Sequence, residues 1–190
     1  EGTYKNGEKY GLWTSWYKNG QKEFERTFKD GNKDGLNTLW YVNGQKWIEG
    51  TYKNGEKYGL WTSWYTNGQK TEEGTIKDGK PDGLLTRWYE NGQKHYEETY
   101  KDGKLDGLYV EWFDNGQKKI DGNYKSGLMD GKWTYYNKDG SVSEVKKYLK
   151  GLDLSVLSIA VLYMDVGNNS ELNYLETITE DLIFDLTSSS

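Results

Sequence analysis

The residues that could do chemistry are few, and they are scattered. His95 is the sole histidine, and there is no cysteine. Thiolate chemistry and disulfides are therefore absent, and neither compartment nor redox state is restricted. No serine sits in a recurring pattern with a base beside it, as an activated nucleophile requires. Asp30/Asp34, Asp78/Asp82 and Asp102/Asp106 have calcium-loop spacing. The equivalent positions elsewhere are Asn6/Tyr10, Asn54/Tyr58 and Ser126/Asp130, often with lysine between them. Such a set falls short of the six to eight oxygen ligands calcium takes, and Asp-Gly forms turns without a metal. The glycine-rich turns lack the Gly-Lys-Ser/Thr context of a phosphate loop. The expectation is a non-enzymatic chain with no metal and no cofactor.

What recurs is architectural. Trp16, Trp40, Trp64, Trp88 and Trp112 are separated by 24 residues each, and Tyr136 fills the sixth slot. Gly7, Gly11 and Gly20 each recur at the same interval, so most of the 24 glycines are turn punctuation. Residues 1–17 and 49–65 are identical. A fixed period in the range of roughly 20–50 residues marks a repeat array. Alternating strand patterns around Asn-Gly predict a hairpin per unit: strands at 11–17 and 22–29, joined at Lys18-Asn19-Gly20. Asp30 to Gly35 reads as a longer turn into the next unit. The predicted fold is all-β: an elongated, single-layer antiparallel meander of six 24-residue hairpins over residues 1–150, followed by a non-repeat cap or docking segment over residues 151–190. About a dozen strands would extend on the order of 55–60 Å.

The repeating pattern is Asp-Gly-Lys-x-Asp-Gly-Leu, then Trp-Tyr-x-Asn-Gly-Gln-Lys, then Glu-x-Tyr-Lys, and residues 79–94 and 103–118 follow it closely. It resembles the bacterial variant of the MORN repeat (membrane occupation and recognition nexus). The resemblance covers about residues 1–150. It implies consecutive β-hairpins and, through the YwqK-type group, an antitoxin or immunity role in which a protein partner, a toxin, is bound and neutralised.

Composition agrees with a repeat array. Mean hydropathy is −1.01, which alone suggests disorder, but aromatic residues at 16% argue for packing between neighbouring units. No stretch reaches the ~20 apolar residues of a membrane helix. All lysines and arginines lie before residue 151, where they nearly balance the acids; the net −5 comes from Asp153, Asp165, Glu171, Glu176, Glu180, Asp181 and Asp185. A nearly neutral array is not a nucleic-acid footprint, and it is weakly matched to anionic lipid. The start at Glu1, mid-repeat and without Met, reads as a trimmed product, compatible with the bacterial cytoplasm or with export.

Side-chain parity predicts two faces. A three-residue turn with Gly20 left-handed would place the Trp16 and Phe28 sets together. Trp13, Ser15, Tyr17, Glu23, Glu25, Thr27 and their equivalents would form the other face. On that face, slots 13, 15 and 23 differ between units, so individuality would reside there. Large rings at such slots suit a protein interface, or else cover the sheet or meet the tail; on the first reading the expected partner-binding residues are Trp13, Tyr17, Trp47, Trp61, Tyr65, Tyr109 and Trp133. Carbohydrate or cell-wall binding and membrane-surface binding are the rival expectations. In the last segment, 154–164 is apolar and uncharged, a strand or a buried helix. Ser170 would cap a helix over 171–186 bearing Leu172, Leu175, Leu182 and Leu186.

Overall fold

The computed structural model describes residues 1–155. The expectations for 154–164 beyond Ser155, for the helix at 171–186 and for the cap fall outside the described residues. Fourteen strands follow one another: β1 (Thr3–Lys5), β2 (Glu8–Trp16), β3 (Lys22–Lys29), β4 (Asn32–Trp40), β5 (Lys46–Lys53), β6 (Glu56–Trp64), β7 (Lys70–Lys77), β8 (Lys80–Trp88), β9 (Lys94–Lys101), β10 (Lys104–Trp112), β11 (Lys118–Lys125), β12 (Leu128–Tyr136), β13 (Val142–Leu149) and β14 (Leu152–Asp153). Each pairs with its sequence neighbours in one open sheet, in the order β1 to β14, and the pairings are antiparallel. The chain is an all-β meander, and its strand pattern continues past residue 150 to the β13–β14 pair Leu149↔Leu152.

Two turn chemistries alternate. Within a unit, Gly20 N–H donates to Tyr17 O at 3.0 Å and Tyr17 N–H to Gln21 O at 2.8 Å, with Gly20 at φ +84°. This is the three-residue turn with a left-handed glycine that the sequence predicts. Between units the connection is shorter than expected. Asp30 and Gly31 both have positive φ, at +48° and +75°, and Lys29 pairs with Asn32. A tight two-residue turn of this kind matches strand twist, so β4 begins at once. The residues read as a longer loop lie in β4 as a bulge. Phe28 pairs with Lys33 but Arg26 with Asn37, and Gly35, at φ +115°, approaches Thr27 so closely that a Cβ would stand 3.0 Å from Thr27 Cβ.

A further bulge changes the faces. Trp16 pairs with Lys22 but Ser15 with Phe24, leaving Glu23 as an extra residue. The same shift recurs in the following hairpins. Each hairpin thus carries one extra residue in its turn and another at slot 23. The predicted parity counted only the first, and it is overturned. Phe28 lies with Trp13, their rings 6.2 Å apart edge-to-face, not with Trp16. Glu25 and Thr27 lie with Trp16: Leu12 pairs with Thr27 and Thr14 with Glu25. One face, here called regular, carries Leu12, Thr14, Trp16, Lys22, Glu25, Thr27 and their equivalents. The other, here called variable, carries Trp13, Ser15, Glu23, Phe24, Arg26, Phe28 and theirs.

Candidate interaction faces

The variable face is packed by size complementation. Trp61 pairs across strands with Gly50, and its ring lies so close that a Cβ on Gly50 would stand 2.2 Å from it. Gly122 stands in the same relation to Trp133, Gly2 to Trp13, and Gly74 to Leu85. Where the glycine is replaced, the partner changes: Arg26 faces Asn37 and Glu98 faces Tyr109. Constant rings then wedge edge-on against the slot-13 ring, Tyr52 on Trp61 at 5.1 Å and Tyr124 on Trp133 at 5.0 Å, an arrangement the ring quadrupoles favour. Lys57 Nζ lies 4.3 Å from the Trp61 ring centre. Trp61 is 8% exposed and Trp133 2%. Burial of this kind is the molecule's core, so the variation at slot 13 is matched within the chain itself.

The expected anchors therefore fall in different environments. Trp61 and Trp133 are buried, Trp13 and Tyr109 half-buried. Tyr109 has its hydroxyl held above the ordinary phenol range, first by burial and then by the Glu111 and Glu98 carboxylates. Tyr100 is raised likewise, by burial and by its hydrogen bond to Glu98. Tyr17 and Tyr65 act as clips between units: their hydroxyls donate to Trp40 O at 2.7 Å and Trp88 O at 2.9 Å. Beside them Asn19 and Asn67 Nδ2 reach Val42 O and Glu90 O. Only Trp47 stays open, 47% exposed with its ring 5.9 Å from Tyr41. His95 stacks on Tyr89 at 4.2 Å and stands 4.0 Å from Glu111 Oε1, to which Lys119 donates at 2.8 Å.

The regular face is built of rows running across the strands. The first alternates indole and ammonium. Lys22 Nζ lies 5.4 Å from the Trp40 ring centre, Lys46 5.6 Å from Trp64, Lys70 5.6 Å from Trp88 and Lys94 5.4 Å from Trp112. The next row is a floor. Thr38, Thr62, Thr86 and Thr134 are buried there, with Val110 in the fifth slot. Beside them Glu49 accepts from Thr38 at 3.0 Å and Lys46 at 2.7 Å, and Glu73 from Thr62 at 3.1 Å and Lys70 at 2.5 Å. The third row stands open. Leu12, Leu36, Leu60, Leu84 and Leu108 are all between 46% and 58% exposed. Along a strand the indole and leucine rows are about 13 Å apart, and along the array each row repeats every ~9.6 Å, two strand spacings. Apolar rows on either side of the threonine floor thus cross the first five units, and Lys132 and Tyr136 take their slots in the sixth. The Asp-Gly-Leu motif held the signal for this row, a large apolar residue in a constant slot, although a constant slot reads first as scaffold.

The carboxylates with calcium-like spacing have another use. Asp34, Asp82 and Asp106 accept the backbone N–H of the next inter-unit turn, at Asn54, Asp102 and Ser126, at 3.3 to 3.4 Å. Among the described residues no group of three or more His, Cys, Asp or Glu could hold a metal ion.

An open sheet of near-identical hairpins clipped to their neighbours, with one face packed and one presenting repeated rows, is a repeat-array scaffold. The sequence model of the MORN repeat variant matches residues 9–30, 33–54, 57–78, 81–102 and 105–126. These windows cover more than half of the chain, and it belongs to the MORN repeat variant family. Repeats of this family are generally protein- or membrane-binding modules. Comparison with curated proteins returns no match.

Proposed function

We propose that this chain is a non-enzymatic binding array whose partner is another protein, held along the regular face. The observation that carries this reading is the leucine row, half-exposed in five successive units beside the indole row. Extended apolar surface rimmed by polar groups marks interaction sites. The non-enzymatic part is supported by the occupation of the polar groups. Glu49 and Glu73 bind threonine and lysine, and Asp34, Asp82 and Asp106 cap turns. The finer reading, that the partner is a toxin neutralised by being covered, is supported by the resemblance to MORN-type antitoxin proteins. Nucleic acid is a poor partner for a near-neutral array. Sugar binding would need open indole faces, and Lys22, Lys46, Lys70 and Lys94 lie over the rings of the following units.

The test is co-expression with the product of the neighbouring reading frame. The wild-type chain should relieve growth arrest, and Leu60→Glu with Leu84→Glu should abolish relief while leaving the sheet folded by circular dichroism. A neighbour that causes no arrest would remove the toxin reading. A folded double variant that protects as well as wild type would remove the regular face as the binding surface.

A further inference from the structure

The regular face repeats itself, and that constrains what can lie on it. A ligand that meets successive units in the same way must repeat both its spacing and its orientation every ~9.6 Å. An α-helix returns the same face after seven residues, about 10.5 Å, and would be about 3.6 Å out of step after four units. An extended strand advances about the right distance in three residues, but successive three-residue steps point to opposite sides. A polyproline-II helix advances about 9.3 Å in three residues and returns the same side chain to the same side each time. Over the four steps from Trp16 to Trp112 it would drift by only ~1.2 Å.

The hydrogen-bonding and charge patterns point the same way. Trp13 and Trp133, on the variable face, donate their indole N–H to Thr3 O and Asn123 O, while that of Trp61 is buried there without a partner. Among the described residues the indole N–H groups of Trp16, Trp40, Trp64, Trp88 and Trp112 make no hydrogen bond. That row consists of these indoles and the ammonium groups of the lysines between them, so it offers donors and no acceptor. The lysines are already neutralised rung by rung through ion pairs such as Lys22–Glu25, Lys46–Glu49 and Lys70–Glu73. The complementary ligand is uncharged and rich in acceptors with few donors. A proline-rich segment has that character, because proline keeps its carbonyl and has no N–H, and its backbone in this helix makes no internal hydrogen bonds.

We infer that the regular face binds a proline-rich segment in the polyproline-II conformation, laid across the units so that every third residue meets one indole N–H. This rests on the reading of that face as the protein-binding surface. About twelve residues would span the five indoles.

The experiment titrates the whole chain, with nitrogen-15 in its indoles, with blocked dodecaproline. The N–H signals of Trp16, Trp40, Trp64, Trp88 and Trp112 should move, and those of Trp61 and Trp133 should stay. Hexaproline should bind at least about tenfold more weakly than dodecaproline, as expected when half the rungs are engaged. Trp64→Phe and Trp88→Phe keep a ring and remove the donor; each should weaken binding by up to about tenfold, the size of one hydrogen bond. Two variants are used so that one that fails to fold does not decide the matter. Indole signals unmoved by millimolar dodecaproline, equal shifts with a Gly-Ser dodecamer, or affinity unchanged in both variants would each overturn the inference. If Leu60→Glu with Leu84→Glu abolishes binding of the native partner while dodecaproline never binds, the regular face stands as the interface and the polyproline ligand falls.

Discussion

The two faces of this sheet use the same kinds of residue to opposite ends. On the variable face, tryptophan lies over glycine in a neighbouring strand and is buried at Trp61 and Trp133. On the regular face, Trp16 and its equivalents stand in a row with free indole N–H groups, beside leucines left half exposed. Variation between units therefore need not mark a surface offered to a partner. At slot 13 it marks a local packing problem solved differently in each unit, bulky with glycine, small with arginine. Constancy does not mark the buried scaffold either. The constant leucine stands about half exposed in five successive units, and a contact repeated five times would give the proposed binding surface its length.

The largest expected effect tests that contrast directly. Trp61→Ala should cost about 3–5 kcal/mol of stability, the range for emptying an aromatic core site. Leu60→Ala, one residue away on the other face, should stay within about 0.5 kcal/mol, as surface changes do. Urea unfolding followed by circular dichroism measures both. Equal losses would mean that the two faces are packed alike.

A second prediction asks whether slot 13 and the facing glycine are one unit. Gly50→Arg alone should cost about 1–3 kcal/mol through overpacking against the Trp61 ring. Combined with Trp61→Asn it recreates the Arg26–Asn37 pair found in β3 and β4. The double variant should be more stable than the sum of the single changes by about 1–3 kcal/mol, the coupling expected of residues in contact. Additive losses would show that the two positions vary independently.

Much of this was legible in the sequence. The hairpin at Lys18-Asn19-Gly20 and the strand over 22–29 follow from Asn-Gly and alternation, because turn chemistry is local. The parity was not legible, because it depends on Glu23. That slot holds Glu23, Trp47, Thr71, His95, Lys119 and Ser143 in turn, and none of these residue types announces a bulge. One uncounted residue moves a whole strand to the other face, so Phe28 and Glu25 were exchanged together. The Gly50–Trp61 match was written in the chain, since Gly2, Gly50, Gly74 and Gly122 each precede a large slot-13 residue by eleven positions. It becomes readable only once the register is known. Tyr17 and Tyr65 read as partner-binding residues for a related reason. Their hydroxyls reach 23 residues ahead, to a carbonyl whose direction the sequence does not specify.

The smallest expected effect concerns those clips, which lie at the hairpin end of both faces. Tyr17, Tyr41, Tyr65 and Tyr89 each donate a hydroxyl to the carbonyl 23 residues on, at 2.7 to 2.9 Å. The fifth unit has Phe113 in this slot, so the carbonyl of Tyr136 lacks the bond its counterparts receive. The backbone around Phe113 keeps the shared turn, with Phe113 N–H donating to Gln117 O at 2.8 Å and Gly116 N–H to Phe113 O at 3.0 Å. Asn115 still reaches across to Lys138 O at 2.9 Å. Phe113→Tyr should therefore place its hydroxyl where the clip forms, and stabilise the array by about 0.5–1.5 kcal/mol, the net value of a hydrogen bond. Tyr65→Phe should remove a similar amount or somewhat more, because it leaves Trp88 O without its donor. Equilibrium unfolding of both variants, and of the pair combined, gives three comparisons. Gain in one, loss in the other and near-cancellation in the pair are expected, since the sites are far enough apart to add. A neutral or destabilising Phe113→Tyr would show that the fifth and sixth units are not joined as the others are, and that the array's regularity ends before its last hairpin.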